Sequence, residues 1–194
     1  MTTAQLRPVA KPALVRELGP VETSALTALV ARTSDTVWEI EDAGKENRFA
    51  VLHDTRHIIF RFIDGNRDHR RFYSNPIWDI WKRLLLPVME TAIRPYAFQE
   101  PVFPKVMLAR LAAGQVVDRH RDGAGSNLCT HKIHVPIQTN DQAAMIVEDT
   151  RFHLRPGHAY ELNNLAPHAA ENFGAADRIH LIFEVYDAMP PASA

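Results

Sequence analysis

The sequence has one cysteine, Cys129, among its 194 residues. A single cysteine excludes an intramolecular disulfide and any zinc cage built on paired thiolates. No apolar run approaches the roughly 20 residues that a membrane-spanning helix needs. The first residues also lack the apolar core of a secretory signal peptide. These absences predict a cytoplasmic protein that does not enter a membrane.

An excess of charge of either sign is also absent. The 22 basic residues balance 23 acidic ones, which leaves a formal net charge of −1. This balance argues against a nucleic acid or an anionic membrane surface as the partner. The chain is 46% hydrophobic and 23% charged, proportions that predict a packed core.

The length predicts a single domain spanning residues 1–194. Within it we expect an arm, helices and supporting strands over 1–100, a β-rich core over 101–188 and a flexible tail over 189–194. The first 20 residues contain three prolines and a glycine, which indicate an extended or loosely packed arm rather than a regular element. Three short elements should follow, namely a helix over 21–31 and strands over 37–40 and 58–63.

A longer helix is expected to start at Ser74-Asn75-Pro76, where a capping side chain precedes proline. Its apolar stripe comprises Ile77, Trp81, Leu84, Leu85 and Val88. Pro87 should kink or divide this helix. The tryptophans could form a substrate box, but aromatic residues at helical spacing more often belong to the core.

From about residue 102 the pattern changes to short apolar or alternating runs separated by turns. Strands are predicted over 102–111, 116–121, 131–138, 143–148, 151–154, 158–162, 168–172 and 178–186. Eight such strands with flanking helices indicate a mainly β protein with a double-stranded β-helix core, the jelly-roll or cupin architecture.

His120 and Asp122 are the first candidates for metal ligands, since residues two apart in a strand project from one face. His168, which opens a predicted strand, is the natural third ligand. Two imidazoles and one carboxylate form the facial triad of non-haem iron(II) oxygenases. The alternative is a chance His-x-Asp triplet in a solvated turn before Gly123.

Three further side chains could complete such a site. Arg178 opens the most strongly alternating strand and could clamp a carboxylate. Its alternative is a surface arginine paired with Asp177 or Glu184. Lys132 and His134 share one strand face, which points either into a polar pocket or into water.

Residues 106–187 resemble the aspartyl/asparaginyl β-hydroxylase-like oxygenases, a family that includes bacterial proline cis-hydroxylases. The motifs that carry this resemblance are Gly114 shortly before His120-Arg121-Asp122, the strand His131-Lys132-Ile133-His134-Val135-Pro136-Ile137, Pro156-Gly157, Asn163-Asn164 with Pro167-His168 and Asn172, and Arg178 with the apolar strand that it opens. Ordered motifs at matching intervals are far more specific than a single triplet.

The resemblance implies a hydroxylase that uses iron(II), 2-oxoglutarate and dioxygen. It implies that His120, Asp122 and His168 are the catalytic metal ligands. By the same resemblance, Arg178 and His134 bind the co-substrate, and Lys132 replaces an arginine that grips a substrate carboxylate in relatives. Related halogenases lack the carboxylate ligand, so Asp122 favours hydroxylation.

The expected substrate is a small molecule or peptide bearing an amino-acid group. A free amino acid, a carrier-bound amino acid and a peptide side chain all fit the sequence. Two other function classes could use the same three ligands: a cupin-type metalloprotein such as an isomerase or zinc hydrolase, and a sensor or binding module without turnover. Only the oxygenase needs a buried cation opposite the metal, so Arg178 discriminates among them.

Overall fold

The computed structural model describes residues 8–45, 50–123 and 125–189. Its strands are β1 (Val15–Pro20), β2 (Thr55–Ile63), β3 (Phe72–Ser74), β4 (Pro101–Leu111), β5 (Val116–His120), β6 (His131–Gln138), β7 (Ala143–Val147), β8 (Thr150–Phe152), β9 (His158–Leu162), β10 (His168–Asn172) and β11 (Arg178–Asp187). The helices are α1 (Ser24–Val30), α2 (Asp35–Ala43), α3 (Ile77–Ala92) and α4 (Ser126–Cys129). Short 3₁₀ turns lie at Ala50–Leu52, Asp64–Asn66 and Arg94–Tyr96.

The strands form two antiparallel sheets. The larger sheet has the order β1-β9-β6-β11-β4-β2-β3, and the smaller one has the order β5-β10-β7-β8. This arrangement is a jelly roll, which confirms the predicted fold class. All eight strands predicted after residue 102 are present, with ends that differ by no more than two residues.

The central strand β11 shows how the sequence separates the two faces of the larger sheet. Ile179, Leu181, Phe183 and Val185 are buried in the core cluster that also contains the apolar residues of α3. Arg178 and Ile182, from the alternate set, line a cavity on the other side of this sheet. Side chains in a strand alternate between faces, so one strand supplies both the helix-covered core and the interior of the jelly roll.

Helix α3 covers the outer face of the larger sheet. Trp78 and Trp81 are buried there, which confirms their prediction as core residues. Pro87 does not divide the helix, contrary to one of the two outcomes predicted for it. Proline has no backbone N–H, so Pro87 leaves the carbonyl group of Arg83 without its usual helical hydrogen bond. Pro87 and Arg83 are both exposed, so water can donate to that carbonyl group instead.

The predicted strand over 37–40 is wrong, because these residues lie in helix α2. The Ser34 side chain accepts a hydrogen bond from the backbone N–H of Val37 and so caps the helix. Trp38 is 1% exposed whereas Ile40 is 66% exposed. In a strand these two residues would share a face, and only the helical period buries one and exposes the other.

The predicted loose arm over the first 20 residues is also wrong for its last six residues, which form β1. This strand pairs with β9 at the edge of the larger sheet, and its register shifts between Glu17 and Gly19. An edge strand tolerates the proline and glycine that the prediction interpreted as breakers, because one of its sides needs no ladder hydrogen bonds.

The predicted flexible tail falls almost wholly on residues 190–194, which lie outside the described residues. Its first residue, Met189, is exposed. The division of the chain at residue 100 stays a prediction. Among the helices described, none is both long and apolar enough to cross a bilayer.

Candidate metal centre and cavity

A cavity opens between the two sheets. Its walls combine apolar side chains with a few polar groups, the usual character of a small-molecule site. The polar lining residues are Thr55, His57, His120, Lys132, His134, Asn164, His168 and Arg178. Five of these eight were predicted as site residues from the sequence, and Asn164 was part of a motif without an assigned role.

The structure brings His120, Asp122 and His168 together. His120 ends β5 and stands directly opposite His168, the first residue of β10. Asp122 follows β5, and its backbone N–H donates to the carbonyl of Asn164. One donor atom from each of the three side chains lies within 4.8 Å of the others.

The two imidazoles turn the same ring nitrogen towards Asp122. Nδ1 of His120 is 2.7 Å from the carbonyl oxygen of Asp118, and Nδ1 of His168 is 3.0 Å from that of Ala166. A carbonyl accepts, so each Nδ1 carries the proton and each Nε2 offers its lone pair. Both Nε2 atoms lie 3.9 Å from Oδ1 of Asp122.

The charge states of these side chains suit a cation. Burial and the nearby Lys132 lower the pKa of His168 to about 4, so this imidazole is neutral at pH 7. Burial alone would raise the pKa of Asp122, but the charges of Lys132 and His168 and hydrogen bonds from Lys132 and Asn164 hold it well below its usual range. Two imidazoles and one carboxylate are a donor set for a divalent metal ion.

The second carboxylate oxygen of Asp122 is held by two donors. Nζ of Lys132 lies 2.5 Å from Oδ2, and Nδ2 of Asn164 lies 3.0 Å from it. The sequence left open whether Lys132 points into a pocket or into water. The structure shows that it projects from β6 into the cavity. Burial lowers the pKa of Lys132, but the attraction of Asp122 outweighs burial and raises it.

Arg178 is 5% exposed and reaches the cavity from β11. Its guanidinium donates to Nδ1 of His180 at 3.1 Å and to the sulfur of Met145 at 2.8 Å. The acids that could have neutralised it are engaged elsewhere, because Asp177 pairs with Arg110 and Glu184 pairs with Lys105. Within the described parts of the chain, Arg178 therefore has no carboxylate partner.

His134 lies beside Lys132 on the inner face of β6 and is 5% exposed. Its Nδ1 is 3.4 Å from Nδ1 of His180, and its Nε2 has no hydrogen-bond partner among the described residues. Burial, with the charges of Lys132 and Arg178, lowers the pKa of His134 well below its usual value. The ring is therefore neutral and can donate or accept one hydrogen bond in the cavity.

His57 and His180 were not assigned roles from the sequence. His57 lies on β2, where alternation places it on the inner face, and it lines the cavity wall. Its backbone N–H donates to Oδ1 of Asp42 in α2 at 2.8 Å. His180 is two residues after Arg178 on β11, and that spacing was the signal that could have linked the two side chains.

The family model described as aspartyl/asparaginyl beta-hydroxylase matches residues 65–188. No curated protein sequence matches the chain significantly.

Several solved structures share the fold at low sequence identity. A 2OG-Fe(II) oxygenase family oxidoreductase from Burkholderia pseudomallei is 12% identical, with a TM-score of 0.57 over 84% of this chain and 78% of that one. AviO1 from Streptomyces viridochromogenes is 17% identical, with a TM-score of 0.56 over 98% and 100% of the two chains. The viral collagen prolyl hydroxylase of Paramecium Bursaria Chlorella virus-1 is 10% identical, with a TM-score of 0.52 over 91% and 97%. At these identities the likeness establishes the fold alone.

Proposed function

The chain belongs to the aspartyl/asparaginyl β-hydroxylase family, and from this premise we propose that it is an iron(II)- and 2-oxoglutarate-dependent dioxygenase. The reaction proposed is hydroxylation of an unactivated C–H bond in an amino acid or amino-acid residue. It consumes dioxygen and 2-oxoglutarate and releases succinate and carbon dioxide.

One observation carries the proposal: a buried arginine without a carboxylate partner lines the same cavity as a His/Asp/His cluster. A buried cation without a counter-charge is costly, so a protein retains one where a ligand supplies the negative charge. 2-Oxoglutarate has two carboxylates, one of which can bind a metal while the other meets a guanidinium. A cupin-type metalloprotein of another class has no such need for Arg178.

His120, Asp122 and His168 are the proposed iron ligands. Their donor atoms lie within 4.8 Å of one another and would hold one ion. A set of three protein ligands would leave room at that ion for co-substrate and dioxygen. Iron(II) bound there supplies the oxidising chemistry that converts C–H to C–OH. The chain's own part is to hold each Nε2 through an Nδ1–H bond to a backbone carbonyl and to keep Asp122 ionised.

The co-substrate is proposed to lie between this cluster and Arg178. The guanidinium would bind its distal carboxylate with paired N–H donors. His134 would contact the co-substrate through Nε2, since that atom has no partner among the described residues. Leu111, Leu162 and Ile182 line the same cavity and exclude water from it.

Lys132 is proposed to bind an anionic group of the substrate while it also donates to Asp122. An ammonium has three donors, so two remain for a carboxylate or for a water that bridges to one. A lysine is a point charge without the planar fork of an arginine, which suits a substrate whose anionic group is held less rigidly. This position therefore supports an amino acid or acidic peptide as substrate.

The proposal is tested by incubating the purified protein with iron(II), 2-oxoglutarate and dioxygen, together with a panel of amino acids and short peptides. Proline and prolyl peptides belong in the panel because one solved relative is named a collagen prolyl hydroxylase. We expect succinate to form and one panel member to gain one oxygen atom. His168→Ala should abolish both signals. His158→Ala should retain them, because His158 pairs with Glu17 and does not line the cavity. Absence of succinate with every panel member would contradict the proposal.

A further inference from the structure

Arg178 and His180 project from the same face of β11, and both are almost completely buried. Nη2 of Arg178 lies 3.1 Å from Nδ1 of His180. A guanidinium has only donors, so Nδ1 must be the acceptor of this hydrogen bond. The ring is therefore neutral and carries its proton on Nε2.

The surroundings of His180 favour this neutral form. Burial, followed by the charges of Arg178 and His134, lowers the pKa of His180 well below its usual value. Nε2 of His180 is itself buried and has no hydrogen-bond partner among the described residues. The Arg178 contact is thus the one short polar contact described for this ring, since His134 lies farther away at 3.4 Å.

The second contact of the guanidinium is also uncharged. Met145 of β7 places its sulfur 2.8 Å from the same Nη2 atom. The partners of Arg110 are charged, because Asp35 and Asp177 both pair with it. The protein therefore neutralises Arg110 with carboxylates but orients Arg178 with an imidazole nitrogen and a thioether.

We propose that His180 is a positioning residue that fixes the guanidinium of Arg178 for the distal carboxylate of 2-oxoglutarate. This inference rests on the proposed function of Arg178. An acidic residue in place of His180 would hold the guanidinium equally well but would compete with the incoming carboxylate. A neutral acceptor holds one N–H of Arg178 and leaves its positive charge for the ligand.

Binding of 2-oxoglutarate to the iron(II) form under anaerobic conditions tests the inference. We expect His180→Leu to weaken 2-oxoglutarate binding roughly 10- to 100-fold, the range for loss of a buried hydrogen bond to a charged group. Iron(II) affinity should stay within about twofold, because His180 contacts none of the proposed ligands. His180→Asn should recover most of the loss, because its Oδ1 can take the place of Nδ1.

Two further variants separate positioning from packing. Met145→Leu removes only the sulfur acceptor, which is weak, so its effect should be smaller than that of His180→Leu. His69→Leu removes a buried imidazole that packs against Tyr186 outside the cavity lining, and it should leave 2-oxoglutarate affinity unchanged. Equal losses in His180→Leu and His180→Asn would indicate a steric role and overturn the inference.

Nitrogen-15 NMR of the metal-free protein provides a second readout that needs neither iron nor co-substrate. The expected spectrum shows His180 protonated at Nε2 and unprotonated at Nδ1, and a proton on Nδ1 would overturn the inference even if His180→Leu did not fold. Failure of the wild-type protein to bind 2-oxoglutarate would overturn the proposed function together with this inference. Normal wild-type binding with equally tight binding by His180→Leu would overturn the inference alone.

Discussion

The side-chain amine of Lys132 lies 2.5 Å from Oδ2 of Asp122. Lys132 belongs to β6 and Asp122 follows β5, so this contact joins strands of the two sheets. The same oxygen also accepts from Asn164. Oδ1 is then left to face the two imidazoles, each 3.9 Å away. The pair therefore fixes which carboxylate oxygen is presented to a metal ion.

A double-mutant cycle should detect this coupling in the metal-free protein. Lys132→Met leaves a largely buried carboxylate without its main partner, so we expect the free energy of unfolding to fall by about 3 kcal/mol. In Lys132→Met/Asp122→Asn the loss should be smaller than the sum of the single losses, with a coupling energy of about 1–3 kcal/mol. Urea denaturation at pH 7 measures the free energy of unfolding of the wild-type protein, the two single variants and the double variant.

The exposed pair of Lys82 and Asp79 in α3 is the matched control for this cycle. Its charged atoms are 2.7 Å apart, yet the side chains of Lys82 and Asp79 are 42% and 74% exposed. Solvent screening should limit its coupling energy to below about 0.5 kcal/mol. Equal coupling energies for the two pairs would show that Lys132 is solvated and does not form a buried ion pair with Asp122.

Replacing Arg178 should move stability and ligand binding in opposite directions. Burial lowers the pKa of Arg178 to about 10, which reflects the cost of keeping this cation away from water. Arg178→Met removes that cost, so we expect the metal-free protein to become more stable by about 1–3 kcal/mol. Affinity for 2-oxoglutarate should fall by about 100-fold or more, since a desolvated charge-assisted contact is lost.

Thermal denaturation with and without 2-oxoglutarate measures both effects of Arg178→Met. The wild-type protein with iron(II) should gain stability from 2-oxoglutarate, and the variant should not. A variant that is less stable than the wild type without ligand would identify Arg178 as a structural residue.

The second half of the fold could be predicted because its strands alternate clearly between apolar and polar residues. β6, β9 and β10 begin and end at the predicted residues, and β11 extends only one residue farther. This alternation also put Lys132 and His134 on one strand face, but it left open whether that face meets a pocket or water. The structure shows that both residues line the cavity, as does Arg178. The pattern did not reveal that β5 and β10 pair within the smaller sheet and place His120 opposite His168, since that depends on long-range pairing.

The first half could not be predicted equally well because its elements are short and depend on tertiary contacts. The segment 37–40 has β-branched and aromatic residues, but the Ser34 cap and the burial of Trp38 stabilise a helix. Asp42 at the end of that helix binds the N–H of His57, 15 residues later. No local signal connects these two residues, so the cavity role of His57 was missed.

Substitutions in α2 test the helix directly. Trp38→Ala should reduce the free energy of unfolding by about 3–5 kcal/mol, because it empties a buried site. Ile40→Lys should change it by less than about 0.5 kcal/mol, because Ile40 is exposed. Chemical denaturation distinguishes the helix from a strand. In a strand Trp38 and Ile40 would lie on the same face, so the two substitutions would have similar effects. Large losses in both variants would contradict the helical assignment.

The Asp42 contact should also make stability depend on pH. Burial would raise the pKa of Asp42, but hydrogen bonds from His57 and Lys45 lower it from 3.8 to about 2. A carboxyl with a depressed folded-state pKa stabilises the protein above its unfolded pKa, and this contribution is lost as pH falls towards 2. The shift corresponds to about 2 kcal/mol at most, and screening at this partly exposed site reduces it to about 1 kcal/mol.

Asp42→Asn keeps the shape of the side chain and removes its charge. We expect the variant to be about 1 kcal/mol less stable than the wild type at pH 7 and equally stable near pH 2. Urea denaturation across this range measures the difference. A difference that persists unchanged at pH 2 would assign the effect to packing instead of charge.

The most direct test of the central claim is anaerobic addition of iron(II) and then 2-oxoglutarate to the purified protein, followed by visible absorption. Chelation of bound iron(II) by the 2-oxo acid should produce a weak charge-transfer band that saturates with one 2-oxoglutarate per chain. The band should be absent in His168→Ala and present in His158→Ala. No band in the wild-type protein, or an undiminished band in His168→Ala, would contradict an iron and 2-oxoglutarate site built on His120, Asp122 and His168.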